Sequence, residues 1–270
     1  MDWWICRTCA VETAQRHDVC PICADERQWV PVGGQEWTTL AELAAEEHGV
    51  AVRELEPDLF GLTVSPGVGI AQESKLLRTP DGMLLWDPVG YVDDAAVTAV
   101  RALGDVVAIV ASHPHMFGVQ VEWSHALGRV PVLVSAADAA WVQRPDPAVE
   151  TWEGEREVLP GVVLSQPGGH FPGSAVVHWA AGADGRGVLL SGDTIFANPD
   201  RTAAFMRSYP NRIPLSGAVA LRVAEHVSRR PFDRLYNNFT GVIPQDALGV
   251  VQRSAQRHAA WCRGDHDDLT

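Results

Sequence analysis

Long hydrophobic runs are missing from this 270-residue chain, whose longest unbroken apolar stretch is Val106 to Ala111. That is far short of the roughly 18 residues a membrane-spanning helix requires, so no membrane partner is expected. The opening residues, Met1 to Cys6, lack the basic start, apolar stretch and small-residue cleavage site of a secretory signal. A cytoplasmic protein is the expectation. Positive charge is also scarce: 21 Lys and Arg stand against 34 Asp and Glu, a formal charge of −13. This balance opposes the counterion release that drives nucleic-acid binding and leaves a small-molecule substrate as the expected partner. The sequence is compatible with a homo-oligomer. Only five cysteines occur, four of them within the first 23 residues, which is not the distribution of a disulfide framework.

Those four cysteines form two CxxC knuckles, Cys6-Arg7-Thr8-Cys9 and Cys20-Pro21-Ile22-Cys23, separated by ten residues. Each knuckle places two thiolates on one side of a tight turn, and together they make a tetrahedral four-thiolate site. A segment of about 35 residues cannot bury a sufficient core, so the ion is expected to supply much of its folding free energy. The segment resembles rubredoxin-like zinc ribbons, with Trp3, Trp4 and Trp29 wrapping the knuckles. Electron-carrying rubredoxins usually have glycine after each knuckle, whereas Ala10 and Ala24 stand here, which favours structural zinc. Turn residues Pro31 to Gly34 end the segment, dividing the chain into a ribbon over residues 1–34 and a main domain over 35–270. Cys262, beside Trp261 in a helical pattern, is read as a partly buried apolar residue without a function.

In the main domain, Thr39 with Glu42 has the form of a capping box for a helix at 39–48. Short apolar runs bounded by Gly, Pro and Asp follow at 59–64, 69–71, 75–78 and 83–86, and read as a strand meander. The pattern then alternates: helix 93–103, strand 106–111, helix 120–127, strand 130–134, helix 137–142. Strands at 162–165, 174–180 and 187–191 and helices at 215–229 and 244–262 complete an α/β architecture with strands contributed in groups. Chemistry in such folds collects where strands end and loops begin. Three junctions carry metal-type residues: Ser112-His113-Pro114-His115-Met116-Phe117-Gly118, Gly168-Gly169-His170-Phe171-Pro172-Gly173-Ser174, and Ser191-Gly192-Asp193-Thr194. Two histidines one residue apart on an extended segment point to the same side and suit chelation of one ion.

HPH after a strand, then GGHFPGS, then SGDTIF, in that order and spacing, resemble the metallo-β-lactamase fold family over about residues 50 to 245. The resemblance implies a metallo-β-lactamase-like αββα sandwich carrying the small N-terminal four-cysteine zinc ribbon. It implies that His113, His115 and His170 hold the first metal and that Asp193 is the carboxylate that bridges two metals in the family. Asp87, in Leu85-Trp86-Asp87-Pro88, matches the family's buried aspartate, a structural position behind the ligands.

The chain departs from the family where HxHxDH places its aspartate and last histidine, for Phe117 and Gly118 stand there. Near the end, where the family often has another histidine, Leu235-Tyr236-Asn237-Asn238-Phe239 occurs. Those are second-metal ligands, so a mononuclear site with one Zn or Fe is expected. A zinc ion there lowers the pKa of a bound water to about 7, and Asp193 orients or deprotonates that water as the catalytic residue. The expected activity is metal-dependent hydrolysis of a small ester, thioester or amide. Two alternatives stand beside it: a non-catalytic binding module that retains the fold, and a mononuclear iron oxidoreductase built on His113, His170 and Asp193. Taken singly, His113 is also readable as a turn residue, His170 as part of a flexible loop and Asp193 as a helix cap. The stretch Asn198 to Leu215 reads as a loop and short helix covering the metal edge. Its Arg201, Arg207 and Arg212 make that cover basic, with Arg207 and Asn211 as candidate contacts for an anionic substrate; pairing of these arginines with surface carboxylates is the alternative. His125 is read as a surface residue or one behind the ligands, and His17 as solvent-facing.

Overall fold

The computed structural model describes residues 3–270. The ribbon is a small antiparallel sheet of strands β1 (Trp4–Cys6), β2 (Glu12–Thr13) and β3 (Trp37–Thr38), in the order β2-β1-β3. Its two knuckles bring Cys6 Sγ to 3.6 Å from Cys23 Sγ and Cys9 Sγ to 3.8 Å from Cys20 Sγ. A disulfide holds its sulfurs about 2.05 Å apart, whereas a tetrahedral ion with metal–sulfur bonds of about 2.3 Å separates them by about 3.8 Å. The four thiols are therefore spaced for an ion. Gln35 Nε2 donates to Cys6 Sγ at 3.1 Å, a contact suited to thiolate.

Thr39 caps α1 (Leu40–Ala45) with the expected reciprocal bonds, Glu42 N to Thr39 Oγ1 and Thr39 N to Glu42 Oε2. A seven-stranded sheet follows, built from β4 (Gly49–Glu56), β5 (Leu59–Ser65), β6 (Ser74–Thr79), β7 (Gly82–Trp86), β8 (Val106–Val110), β9 (Val132–Ser135) and β10 (Val149–Trp152). Strands run in sequence order across it, antiparallel from β4 to β7 and parallel from β7 to β10. The parallel pairs need crossovers, which α2 (Asp94–Leu103) and α3 (Gln120–Ala126) supply between β7 and β9.

The second sheet contains β11 (Glu155–Leu159), β12 (Val162–Ser165), β13 (Val176–Trp179) and β14 (Val188–Leu190), with the short turn α4 (Gly182–Gly185) between the last two. Two small hairpins come next, β15 (Phe196–Ala197) with β16 (Ala203–Ala204) and β17 (Met206–Ser208) with β18 (Ile213–Pro214). After α5 (Gly217–Val227), β19 (Arg234–Tyr236) and β20 (Val242–Ile243) return to the second sheet, and α6 (Ala247–Arg263) closes the fold.

Alternation along the strands makes the four layers. Leu76, Leu85, Ile109 and Val132 face α2, α3 and the ribbon, while Leu77, Leu84, Val110 and Leu133 face the second sheet. On that sheet Leu164, Val177 and Leu190 face the first sheet, and Val176, Leu189 and Leu235 face α5 and α6. One side chain out of step flips a whole strand face, so this period-2 pattern specifies the αββα stacking. Among the described residues no helix is long and apolar enough to cross a membrane.

Several local expectations are corrected. Residues 69–71 form a turn, because Gly69 and Ala71 adopt positive φ and Ala71 N bonds back to Val68 O. Residues 137–142 form a 3-10 turn, Ala136–Trp141. The stretch 198–215 holds two hairpins and no helix, and Cys262 is exposed on α6. Strand β4 escapes sequence detection because, at the sheet edge, only Glu56 is fully buried and its apolar residues are interspersed with Arg53, Glu54 and Glu56.

The ribbon packs into the core between the first sheet and its helices, where its cysteines, Ile5 and Ile22 join Val89, Met116, Phe117 and Val119. Gly90 permits the close approach: a Cβ there would lie 2.3 Å from Ala10 Cβ. Buried Arg144 bridges the two parts, with Nη1 at 2.5 Å from both Glu12 Oε2 and Glu122 Oε1.

Candidate metal centre

Strand β8 runs out into Ala111-Ser112-His113, and His113 is extended, but Pro114 at once starts a 3-10 turn over Pro114–Met116. The two histidines thus converge through a turn and not along a continuous strand. His170 arrives from the loop after β12, where Gly168 and Gly169 take positive φ; a Cβ on Gly169 would press on Val223 and Leu215 at 3.1 and 3.3 Å. Asp193 follows β14 through Gly192, another positive-φ residue, packed against Ser112.

His113, His115, His170 and Asp193, all buried, offer donor atoms that lie within 4.8 Å of one another. His115 Nδ1 is 3.4 Å from His170 Nε2, and Asp193 Oδ2 is 3.4 Å from His113 Nε2 and 3.9 Å from His170 Nε2. A tetrahedral ion with bonds of about 2.05 Å separates its ligands by about 3.3 Å, so these separations, which link all four donors, already stand near that spacing. His113 Nε2 and Asp193 Oδ1 are buried without hydrogen-bond partners, an arrangement that costs free energy unless a cation lies between them. The residues present fit one ion.

The surroundings prepare the ligands. Ser112 Oγ lies 2.8 Å from His113 Nδ1 and 3.0 Å from Asp87 Oδ2, and Ser112 N donates to Asp87 Oδ1 at 2.6 Å. With Ser112 donating to Asp87 and accepting from Nδ1–H, the Nε2 lone pair of His113 is free to ligate. His170 Nδ1 is 3.1 Å from Met206 O, which likewise leaves Nε2 free. Burial, with the charge of His113, holds His115 well below the usual imidazole range and His170 down to about 4, so both are neutral. Burial pushes Asp193 up, but the neighbouring imidazoles of His113 and His170 outweigh it and hold the carboxyl below its ordinary value. Burial raises Asp87 to about 7 against the pull of His113 and Ser112.

At the second-metal positions, Phe117 is buried in the core and Gly118 sits at φ +51°, where a Cβ would lie 2.2 Å from Pro88 O. Asn238 stands buried beside Asp193 with both amide atoms unpartnered. His115, His170 and Asp193 line a cavity of about 500 Å³ together with Ile70, Phe196, Tyr209 and Phe239. Tyr209 donates its hydroxyl to Asp193 O at 2.9 Å.

Arg207 and Asn211 are not among the residues that line this cavity. Arg207 pairs with Glu26, and Asn211 Nδ2 donates to Glu26 O and Gln28 O, so both clamp the ribbon. His125 pairs with Asp146 at 3.0 Å, away from the ligands, and His17 is half-buried, its carbonyl accepting from Trp37 Nε1. Sequence reading missed Arg27, Gln28 and Trp29, which the ribbon contributes to the cavity wall. Nothing in their local pattern points there, since their position depends on how the ribbon docks.

No family model matches the chain. Its fold is shared with the metallo-β-lactamase FIM-1 from Pseudomonas aeruginosa in its mono-zinc form, at TM-score 0.55 and 15% identity over 78% of this chain and 96% of that one. A metallo-β-lactamase from Pontibacter korlensis gives 0.57 and 17% over 77% and 99%. The molecule is a divergent metallo-β-lactamase-fold protein with an N-terminal four-cysteine ribbon. It belongs to the family of the uncharacterized protein YmaE of Bacillus subtilis (strain 168), with which it is 39% identical over 264 residues, 96% of each chain.

Proposed function

We propose that this chain is a metal-dependent hydrolase of a small ester, thioester or amide, working with a single ion. The observation that carries the reading is the convergence of His113, His115, His170 and Asp193, the last three of which line a cavity, with His113 Nε2 and Asp193 Oδ1 left unpartnered. The replacement of second-site donors by Phe117, Gly118 and Asn238 supports one ion, and FIM-1, of the same fold, has a mono-zinc form. When bound, zinc supplies Lewis acidity and an acidified water at neutral pH. The three imidazoles orient the reacting centre. Asp193 is the carboxylate that accepts a proton from the attacking water, while the Tyr209 hydroxyl holds the Asp193 backbone. The apolar rings of Phe196 and Phe239 exclude bulk water from one side.

Elemental mass spectrometry on wild type and His113→Ala, beside turnover of p-nitrophenyl esters and a thioester panel, tests this reading. About two zinc per chain falling to about one in the variant, with metal-dependent turnover lost, is the expected result. One metal in both proteins and no turnover would overturn it in favour of a non-catalytic binding module. Iron in the fraction lost with His113 would instead point to an oxidoreductase.

A further inference from the structure

The wall of the cavity contributed by the ribbon is built with care for one side chain. Arg27 is only 8% exposed, and its guanidinium stacks 4.0 Å over the ring of Phe171, the neighbour of ligand His170. Nη1 donates to Asp25 Oδ1 at 2.8 Å, but Nε is buried without a partner. Gln28 Oε1 beside it is likewise unpartnered. Arg27 is the one Lys or Arg among the described residues that line the cavity.

Its position is fixed by the backbone around it. Ser208 Oγ donates to Arg27 O at 3.1 Å, and Asn211 Nδ2 holds the carbonyls on either side, Glu26 O and Gln28 O, at 2.9 Å each. The Arg207–Glu26 pair completes the clamp. A guanidinium so held has lost its side-chain entropy before any ligand arrives, and an unpaired buried N–H is a cost that an incoming acceptor relieves. The facing walls, Ile70, Phe196 and Phe239, are apolar.

We propose that the ribbon is a specificity element of this site: Arg27 binds a carboxylate of the substrate, which is thus a small acyl compound with an anionic end and an apolar body. The inference rests on the reading of the cavity as a hydrolytic site. A planar carboxylate matches the free edge of the guanidinium, and such charge-assisted bonds are the strong ones.

Titration calorimetry of the zinc-loaded full chain with three thiols that share a mercaptoethyl group tests it: 3-mercaptopropionate, 2-mercaptoethanol and cysteamine. The expected order in wild type is carboxylate over neutral by about tenfold or more, with the ammonium compound weakest. In Arg27→Met the preference disappears while 2-mercaptoethanol binds as before, and Arg27→Lys keeps part of it. An equal preference in Arg27→Met would overturn the proposal. Should that variant lose its ribbon ion, the wild-type order decides alone, and absence of a carboxylate preference there overturns it. Failure of all three thiols to bind wild type would overturn the hydrolytic reading and this inference together; failure of Arg27 alone leaves the neutral thiol bound.

Discussion

The backbone N–H of Glu12 donates to the carbonyl of Gly118 at 3.1 Å. The second ribbon strand is thereby joined to the position where the metallo-β-lactamase motif has its last histidine. At φ +51° and against Pro88 O, residue 118 can carry no Cβ without backbone movement. Phe117 and Gly118, neither of which offers a side-chain metal donor, are thus also where the ribbon docks. Gly118→Ala is expected to destabilise the protein by about 2 kcal/mol or more in urea denaturation. Gly118→His is expected to gain no ion; a stable variant with an additional equivalent of zinc would contradict this account.

Asp87 sets the tautomer of His113 through Ser112. In Asp87→Asn the amide must turn a donor toward either Ser112 N or Ser112 Oγ, and the relay is broken. Affinity for the ion at the histidine site should fall about 10- to 100-fold while the four-cysteine ion is retained. Competition with a fluorescent zinc chelator reads the two sites separately; equal weakening of both would point to general destabilisation.

Arg144 faces two carboxylates, Glu12 and Glu122, and its removal leaves Glu12 buried without a cation. Arg144→Met should cost about 3–5 kcal/mol near pH 8. Burial already raises Glu12 to about 7 even with Arg144 present, so at pH 5 the carboxyl takes a proton and the cost shrinks. Urea denaturation at the two pH values measures the difference, and Glu12→Gln in the same background should remove it.

His178 on β13 donates from Nε2 to Val227 O at 3.1 Å, and its Nδ1 is buried without a partner. Burial depresses it to about 4, with Arg230 and His226 adding to the effect and Glu155 opposing it. Its folded value lies below the unfolded one of about 6.5, so the stability it contributes is present above pH 6.5 and is lost as pH falls through about 4. Relative to wild type, His178→Asn should flatten the acid side of the stability profile by up to about 3 kcal/mol. A profile parallel to wild type between pH 6.5 and 4 would assign the acid sensitivity elsewhere.

Much of the fold was legible because its signals are local. The capping box at Thr39 and Glu42 and the short apolar runs of β6 to β9, bounded by turn residues, each follow from neighbours within a few residues. The four donors were legible for a related reason: each stands at a strand end, and each strand announces itself. The hairpins over 203–214 were not, since their strands are two or three residues long and their apolar residues show no period. Arg207 and Asn211 were assigned to a substrate because their partners, Glu26 and Gln28, lie some 180 residues away.

The sequence by itself determined the two ligand sets and the layered architecture, because knuckle spacing, turn glycines and strand periodicity are short-range properties of the chain. Only the tertiary structure decided that the ribbon packs against Phe117 and Gly118 and delivers Arg27 to the cavity. Docking of one folded unit on another depends on complementary surfaces from distant segments, such as Ala10 on Gly90 and Arg27 on Phe171, and no periodicity in either segment encodes their meeting.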